Sequence, residues 1–227
     1  MISVILPMYN ENYNIINLIN ELKLNNNINE IIVVDDCSTD NSVELINQLN
    51  LNIIKLIKNK KNTGQSYSIY KGASVAKNKI LVIMDSDGQN DPKYINQMLK
   101  KLNESDKSMI MGERINRTDT ISKKIQSFIG NYIRRLILQD NCEDSGCGLK
   151  IIYKESFMKL HFINNMHRFM PYLLKIHGMK YQFIKIKDRK RIYGKSNYNI
   201  FMRIISLFEM FYIYILWYLT SNLRSND

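Results

Sequence analysis

Cysteine is scarce in this chain and follows no paired pattern: Cys37, Cys142 and Cys147 are an odd number with no C-x-x-C spacing. That excludes a disulfide framework and a zinc ribbon, and it points to a reducing compartment. The N-terminus, MISVILPMYN, has neither a basic leader nor a small-residue cleavage site, so it reads as a first strand and not as a signal peptide. With nine glycines and three prolines in 227 residues, no Gly/Ser/Pro-rich linker marks off a second domain. Acidic residues are the minority charge: 21 Asp and Glu against 32 Lys and Arg give a formal net charge of +11. This favours anionic partners, whether nucleic acid, phosphorylated metabolites or an anionic membrane surface. Nucleic acid is the least favoured of these, because the chain has no zinc spacing, no RNP motif and no basic recognition helix. The N-x-S/T sequons at Asn103 and Asn116 read as by-products of an asparagine-rich composition.

What is present is the balance of a globular protein, 45% hydrophobic and 23% charged, enough for one main core. Short apolar runs alternate with longer segments of helical period, the pattern of an α/β protein with a mostly parallel central sheet flanked by helices. Strands are expected at 2–6, 30–34, 53–57, 80–84 and 108–112. Between the first two, Ile15, Leu18, Ile19 and Leu22 recur at helical spacing and share one face. The second half predicts a helix around 120–139, a strand in GLKIIY, a helix near 168–177 and a strand in YQFIKIK. Residues 204–219, IISLFEMFYIYILWYL, are almost wholly apolar and aromatic. A bilayer span takes about 20 such residues, so this run is short for one. Tyr212, Tyr214, Trp217 and Tyr218 suit an interfacial helix, and burial against the domain or another subunit is the alternative.

Carboxylates gather where these strands should end. The first strand runs into PMYNEN and not into glycines, which disfavours a dinucleotide-binding Rossmann site. The second ends in VVDDCSTD, which puts Asp35, Asp36 and Asp40 at the carboxyl edge of the sheet. Such acids accept hydrogen bonds from ribose hydroxyls or a base N–H, while Ser38 and Asp40 serve equally well as helix caps. The fourth runs into LVIMDSDGQNDP. Read as an extended strand, Asp85 and Asp87 project to the same face. Two such carboxylates repel unless a cation lies between them, and hard oxygen donors suit Mg²⁺ or Mn²⁺, which could neutralise a diphosphate.

Taken in order and spacing, VILPMYNE, EIIVVDDCSTD, NTGQSYSIYKGASVAK and VIMDSDGQNDP resemble the family 2 glycosyltransferases over the first 115 residues. Further on, DSGCGLKIIYK, MHRFMPYLLKIHG and RKRIYGKSNY resemble the polyprenyl-phosphate sugar transferase branch, the dolichol-phosphate mannosyltransferase type. The resemblance implies one GT-A-like domain over 1–198, followed by a membrane-associating helix and tail over 199–227. It implies a nucleotide-sugar donor (GDP-mannose or a UDP-sugar), a polyprenyl-phosphate acceptor, a Mg²⁺ or Mn²⁺ cofactor and work at the cytoplasmic face of a membrane. Residue by residue, it assigns Pro7, Tyr9, Glu11 and Asp36 to the nucleoside, and Asp85, Asp87 and Gln89 to metal and diphosphate. Gly112 and Arg114 fall near the donor sugar, and Arg191, Lys195 and Ser196 near phosphates.

The residues support that chemistry independently. A polyprenyl phosphate is already ionised at neutral pH, so it needs cationic placement more than a base. The second half supplies Arg114, Arg117, Arg134, Arg135, Arg168, Arg191 and Lys195. Arginine forks grip phosphate oxygens in pairs, and Arg191, Lys195, Arg114 and Arg134 are the first candidates. His167 reads as a structural histidine, and His161 and His177 as ordinary ones. No Q-x-x-R-W element occurs, which argues against polymer synthesis. Two readings stay open beside phosphosugar synthesis: transfer to a hydroxyl of a cell-surface glycan or glycolipid, and a basic binding module. A homo-oligomer or a separate membrane partner is also open.

Overall fold

The computed structural model describes residues 1–115, 132–190, 209–212 and 214–215. Its elements are β1 (Ile2–Met8), α1 (Ile15–Leu22), β2 (Ile28–Asp35), α2 (Ser42–Gln48), β3 (Ile54–Lys58), α3 (Gln65–Val75), β4 (Ile80–Ile83), α4 (Tyr94–Asn103) and β5 (Met109–Arg114). Then come α5 (132–138), β6 (Lys150–Tyr153), α6 (Lys154–Met158), α7 (Met166–Ile176) and β7 (Tyr181–Ile186).

Among the described residues, seven strands form one sheet in the order β3-β2-β1-β4-β6-β5-β7. Those from β3 to β4 are parallel, and β7 runs parallel to β5. β6, inserted between β4 and β5, is antiparallel to both. The Ile- and Val-rich runs of β1 and β2 are buried almost throughout, as strands covered on both faces must be. α1 buries Ile15, Leu18, Ile19 and Leu22, the four predicted from their spacing. α3 lies close to the sheet because its inner face is small: a Cβ on Gly72 would stand 2.7 Å from Ile5 Cγ2.

Strand order reverses between β1 and β4, with β2 and β3 on one side and β6, β5 and β7 on the other. The crevice outside the carboxyl ends of β1 and β4 is where open α/β sheets take their ligands. The loops after β1, β2, β4 and β5 and the start of α3 converge there.

Of the expected C-terminal interface helix, only residues 209–212 and 214–215 are described, and these are helical. Met210 is buried, and Asn165 donates to Glu209 Oε2 at 2.6 Å, while Phe211, Tyr212 and Ile215 are exposed. Among the described residues no helix is long and apolar enough to cross a membrane.

Candidate active site

β4 ends at Ile83, so Asp85 and Asp87 lie in the turn beyond it and the alternation of an extended strand does not bring them together. The turn does. Gly88 takes φ +73, and the Gln89 N–H folds back on Asp87 Oδ1 at 3.0 Å. The Ser86 hydroxyl donates to the Pro7 carbonyl, which ties the turn to β1, and the Asp85 N–H donates to Asn90 Oδ1 at 3.3 Å. Gln65, the first residue of α3, donates its side-chain amide to Asp85 Oδ1 at 2.7 Å. Burial first, and then the charge of Asp87, push the Asp85 carboxyl up to about 6, against the pull of Lys150 and Arg114.

A cationic wall faces this pair. Arg114, at the end of β5, donates from Nε and Nη2 to the two carboxylate oxygens of Asp144 at 2.6 and 2.7 Å. Its Nη1 reaches Asp188 Oδ2 at 3.4 Å, and Asn90 Nδ2 donates to the other oxygen of Asp188 at 3.3 Å. Lys150 is 1% exposed in the middle of the sheet, and its ammonium donates to the Cys147 carbonyl. Burial lowers the Lys150 pKa, opposed by the neighbouring carboxylates and thiols. The 144–148 loop is thus held from both ends, and it leans on the acidic pair: a Cβ on Gly148 would stand 2.2 Å from Asp85 Oδ2.

The four residues assigned to the nucleoside are near the switch point but differ in kind. Tyr9 is exposed and Pro7 half-buried in β1. Glu11 accepts from Asn14 Nδ2 at 2.8 Å. Asp36 is engaged by the chain itself. Its Oδ1 accepts from Asn59 Nδ2, Thr63 N and Thr63 Oγ1 at 2.8, 2.9 and 2.7 Å, and its Oδ2 from Gly64 N at 2.7 Å. The carboxylate therefore organises the 59–64 loop that leads into α3. Burial would raise its pKa, yet the hydrogen bonds from Asn59, Thr63 and Gly64 outweigh burial and hold it below the usual carboxylate value. Asp40 Oδ1 accepts the Ser42 N–H at 3.0 Å just ahead of α2, whose N-cap is Asn41, so Asp40 is not the cap. Ser38 accepts the Asn10 N–H at 2.9 Å.

A folded pKa below the unfolded value of about 3.9 means that Asp36 contributes its stability fully above that pH and loses it as pH falls further. Asp36→Asn is expected to cost about 2 kcal/mol or more at neutral pH, since charge-assisted bonds are lost and an amide N–H meets a backbone N–H. Urea unfolding at pH 7 and at pH 3 checks this, with the penalty smaller at the lower pH.

Arg134 is not brought to this cluster. The residue is 4% exposed, and its guanidinium pairs with the fully buried Asp140 and lies 5.2 Å from the Phe169 ring centroid. An interior ion pair fits that placement better than contact with a substrate phosphate. Arg134→Ala should destabilise the protein by about 3–5 kcal/mol, the cost of stranding a buried carboxylate, and leave kcat of the remaining folded protein near wild type. Thermal unfolding with active-site titration separates the two. Arg191, Lys195, Ser196 and Arg117 lie outside the described residues. Sequence reasoning assigned no role to Gln65, Lys150, Asp144 or Asp188. Gln65, Lys150 and Asp144 do lie inside quoted motifs, and that was the available signal.

Among the described residues no group of three or more His, Cys, Asp or Glu could enclose a metal ion. The fit is to an open site. Asp85 and Asp87 offer hard oxygen donors whose mutual repulsion a divalent cation relieves, with remaining positions left to phosphate oxygens and water, the habit of Mg²⁺.

Residues 3–160 match the family model described as Glycosyl transferase family 2. Dodecaprenyl-phosphate galacturonate synthase of Rhizobium johnstonii is 31% identical over 179 residues, which are 75% of this chain and 52% of that protein. The undecaprenyl-phosphate 4-deoxy-4-formamido-L-arabinose transferase of Yersinia pestis is 28% identical over 214 residues, 91% of this chain and 64% of that one. The chain thus spans between about half and two thirds of the length of these curated relatives. Glucosyl-3-phosphoglycerate synthase from Mycobacterium tuberculosis, crystallised with Mn²⁺, uridine diphosphate and glucosyl-3-phosphoglycerate, has the same GT-A-like fold, with a TM-score of 0.70 at 15% identity over 97% of this chain and 79% of that one. Motif order, the acidic turn at the β1/β4 switch point and the family match agree, and the chain belongs to glycosyltransferase family 2.

Proposed function

We propose that the protein is an inverting glycosyltransferase that moves a hexose from a GDP- or UDP-linked sugar to a polyprenyl phosphate at the cytoplasmic face of a membrane. The observation that carries this reading is the pairing of Asp85 and Asp87 at the switch point with the cations of Arg114 and Lys150 close enough to act on Asp85. The acids suit a metal-bound diphosphate and the cations an anionic acceptor. The names of the two relatives, both polyprenyl-phosphate enzymes, support the acceptor class.

Asp85 and Asp87 would hold the Mg²⁺ or Mn²⁺, and Gln89 lies beside them in the same turn. When bound, that ion supplies charge neutralisation for the departing nucleoside diphosphate. Gln65 fixes the orientation of Asp85. The acceptor phosphate attacks the anomeric carbon from the face opposite the leaving group, which inverts the configuration. Both Asp144 and Asp188 are engaged by Arg114, an arrangement suited to a nucleophile that arrives ionised. Arg191, Lys195 and Ser196 are proposed to contact phosphate oxygens, and residues 199–227 to meet the membrane, a second copy or a separate membrane partner.

The test is to incubate the full chain, in detergent or vesicles, with radiolabelled GDP- and UDP-sugars and a polyprenyl phosphate. Label should enter the organic phase and be released by mild acid, as glycosyl phosphates are. A product that survives mild acid would be a glycoside, and would move the assignment to a hydroxyl acceptor.

A further inference from the structure

Ser66 and His167 form a contact that the account so far leaves without a role. Ser66, in the first turn of α3, is 5% exposed, and its Oγ lies 2.7 Å from His167 Nδ1. The same oxygen accepts the backbone N–H of His167 at 3.3 Å, in the first turn of α7. A serine hydroxyl has one proton and two lone pairs. The backbone N–H occupies one lone pair. If Nδ1 also carried a proton, it would fill the second, and the hydroxyl proton would be left in a buried place without an acceptor, a costly arrangement. The satisfied arrangement has the hydroxyl donating to Nδ1, which leaves the ring proton on Nε2. Burial, and then the charges of Lys150 and Arg168, hold the imidazole pKa well below its usual value, so the ring stays neutral and keeps this single N–H.

Among the described residues Nε2 has no hydrogen-bond partner, and it is not one of the sealed, unsatisfied interior atoms. Its surroundings say what it would meet. Gln65, the neighbour of Ser66, holds Asp85, so two consecutive residues of α3 tie the acidic turn to His167. A Cβ on Gly146 would stand 3.0 Å from Arg114 Nη2, 3.8 Å from Asp144 Oδ1 and 4.0 Å from Arg168 Nη2, so two guanidinia and one carboxylate flank the 144–148 loop beside Lys150. The corner carries both signs of charge, and a neutral N–H there can hold an anionic oxygen beside Arg168 and Lys150. It adds direction without adding another charge.

We propose that Ser66 locks His167 as the Nε2–H tautomer so that Nε2–H donates to a phosphate oxygen of the glycosyl donor or of the acceptor. This role rests on the glycosyl-transfer reading above and makes His167 a substrate-binding residue in place of the structural histidine that its sequence context suggests.

Nitrogen NMR of histidine-labelled protein tests it on the full wild-type chain, with three histidines to resolve and His167→Asn to assign the signal. At neutral pH the His167 ring is expected to show a bare Nδ1 and a protonated Nε2. A protonated Nδ1 or a doubly protonated ring overturns the proposal. Titration with UDP-glucose, GDP-mannose and geranyl phosphate in separate arms should then shift the Nε2 signal with the substrate type that reaches it. Binding detected by calorimetry with an unmoved Nε2 signal refutes the donor role while leaving glycosyl transfer intact. If none of the three probes binds, the glycosyl-transfer reading itself fails and the role of His167 falls with it. In steady state, His167→Asn retains an acceptor for Ser66 but lacks the far N–H, and should raise KM for that same substrate by about ten-fold or more. His167→Gln, which can place an N–H near the position of Nε2, should recover part of the loss. Unchanged constants in a folded His167→Asn protein would overturn the assignment.

Discussion

Asp85→Asn is expected to lower sugar transfer by roughly a thousand-fold, the scale of losing a preorganised electrostatic group, while the protein stays folded and becomes no less stable at neutral pH. The stability half follows from the sign of the pKa shift. The folded-state value of about 6 lies above the unfolded value of about 3.9, so the native state prefers the protonated acid. The stabilising contribution of this group is full below about pH 4 and is lost as pH rises through about 6. An amide in its place carries no charge to be disfavoured beside Asp87 and still accepts from Gln65. The difference in Tm between variant and wild type should therefore move in favour of the variant as pH rises from 4 to 6. Divalent cation provides a second readout. Mn²⁺ should raise the Tm of wild type and do little for Asp85→Asn, and chelation of wild type should reproduce the loss of activity. A variant with normal transfer, or one that Mn²⁺ stabilises as much as wild type, would remove Asp85 from the metal site.

β1, β2 and β4 were legible because strands covered on both faces have to be nearly continuous Ile, Leu and Val, and these three, with β3 and β5, fall within about two residues of their expected ends. The helical stripe of α1 was equally plain. Local pattern could not say how strands from the second half would join the sheet. GLKIIY reads as a strand, but its antiparallel insertion between β4 and β5 depends on partners far along the chain, and so does the burial of Lys150 within it. The D-x-D pair was singled out on strand alternation, yet both acids lie in the turn beyond β4, where the charge of Asp87 still acts on Asp85. Asp36 and Arg134 illustrate a second limit. A residue type announces what it can bind but not what has already bound it. Four donors from residues 59–64 engage Asp36, and Asp140 engages Arg134, and none of these pairings follows from spacing. Gln65 and Asp144 were hidden for the converse reason, since an amide in a turn and an acid beside a glycine look like ordinary loop chemistry until the fold sets them against Asp85 and Arg114.

Gly148→Ala carries the second large effect, through contact alone. No strained backbone is involved. The added methyl would stand 2.2 Å from Asp85 Oδ2, 2.3 Å from Asp85 Cγ and 2.6 Å from Asn90 Oδ1, so either the carboxyl or the 144–148 loop must move by about 1 Å. Moving the carboxyl breaks its hydrogen bond with Gln65 and displaces it from Asp87. Moving the loop shifts Asp144, and with it the guanidinium of Arg114. Misplacement on that scale costs about a hundred-fold in rate, and crowding of a close-packed site costs about 1–3 kcal/mol of stability. A double-mutant cycle distinguishes this from a general effect on folding. In an Asp85→Ala background the two shortest contacts are gone and that with Asn90 remains, so adding Gly148→Ala should cost less stability there, with a coupling of about 0.5–3 kcal/mol. Equal penalties in both backgrounds, measured by chemical denaturation, would mean that the loop yields without pressing on Asp85. The acidic turn would then owe its geometry to Gln65, Ser86 and Asn90 and not to the cover above it.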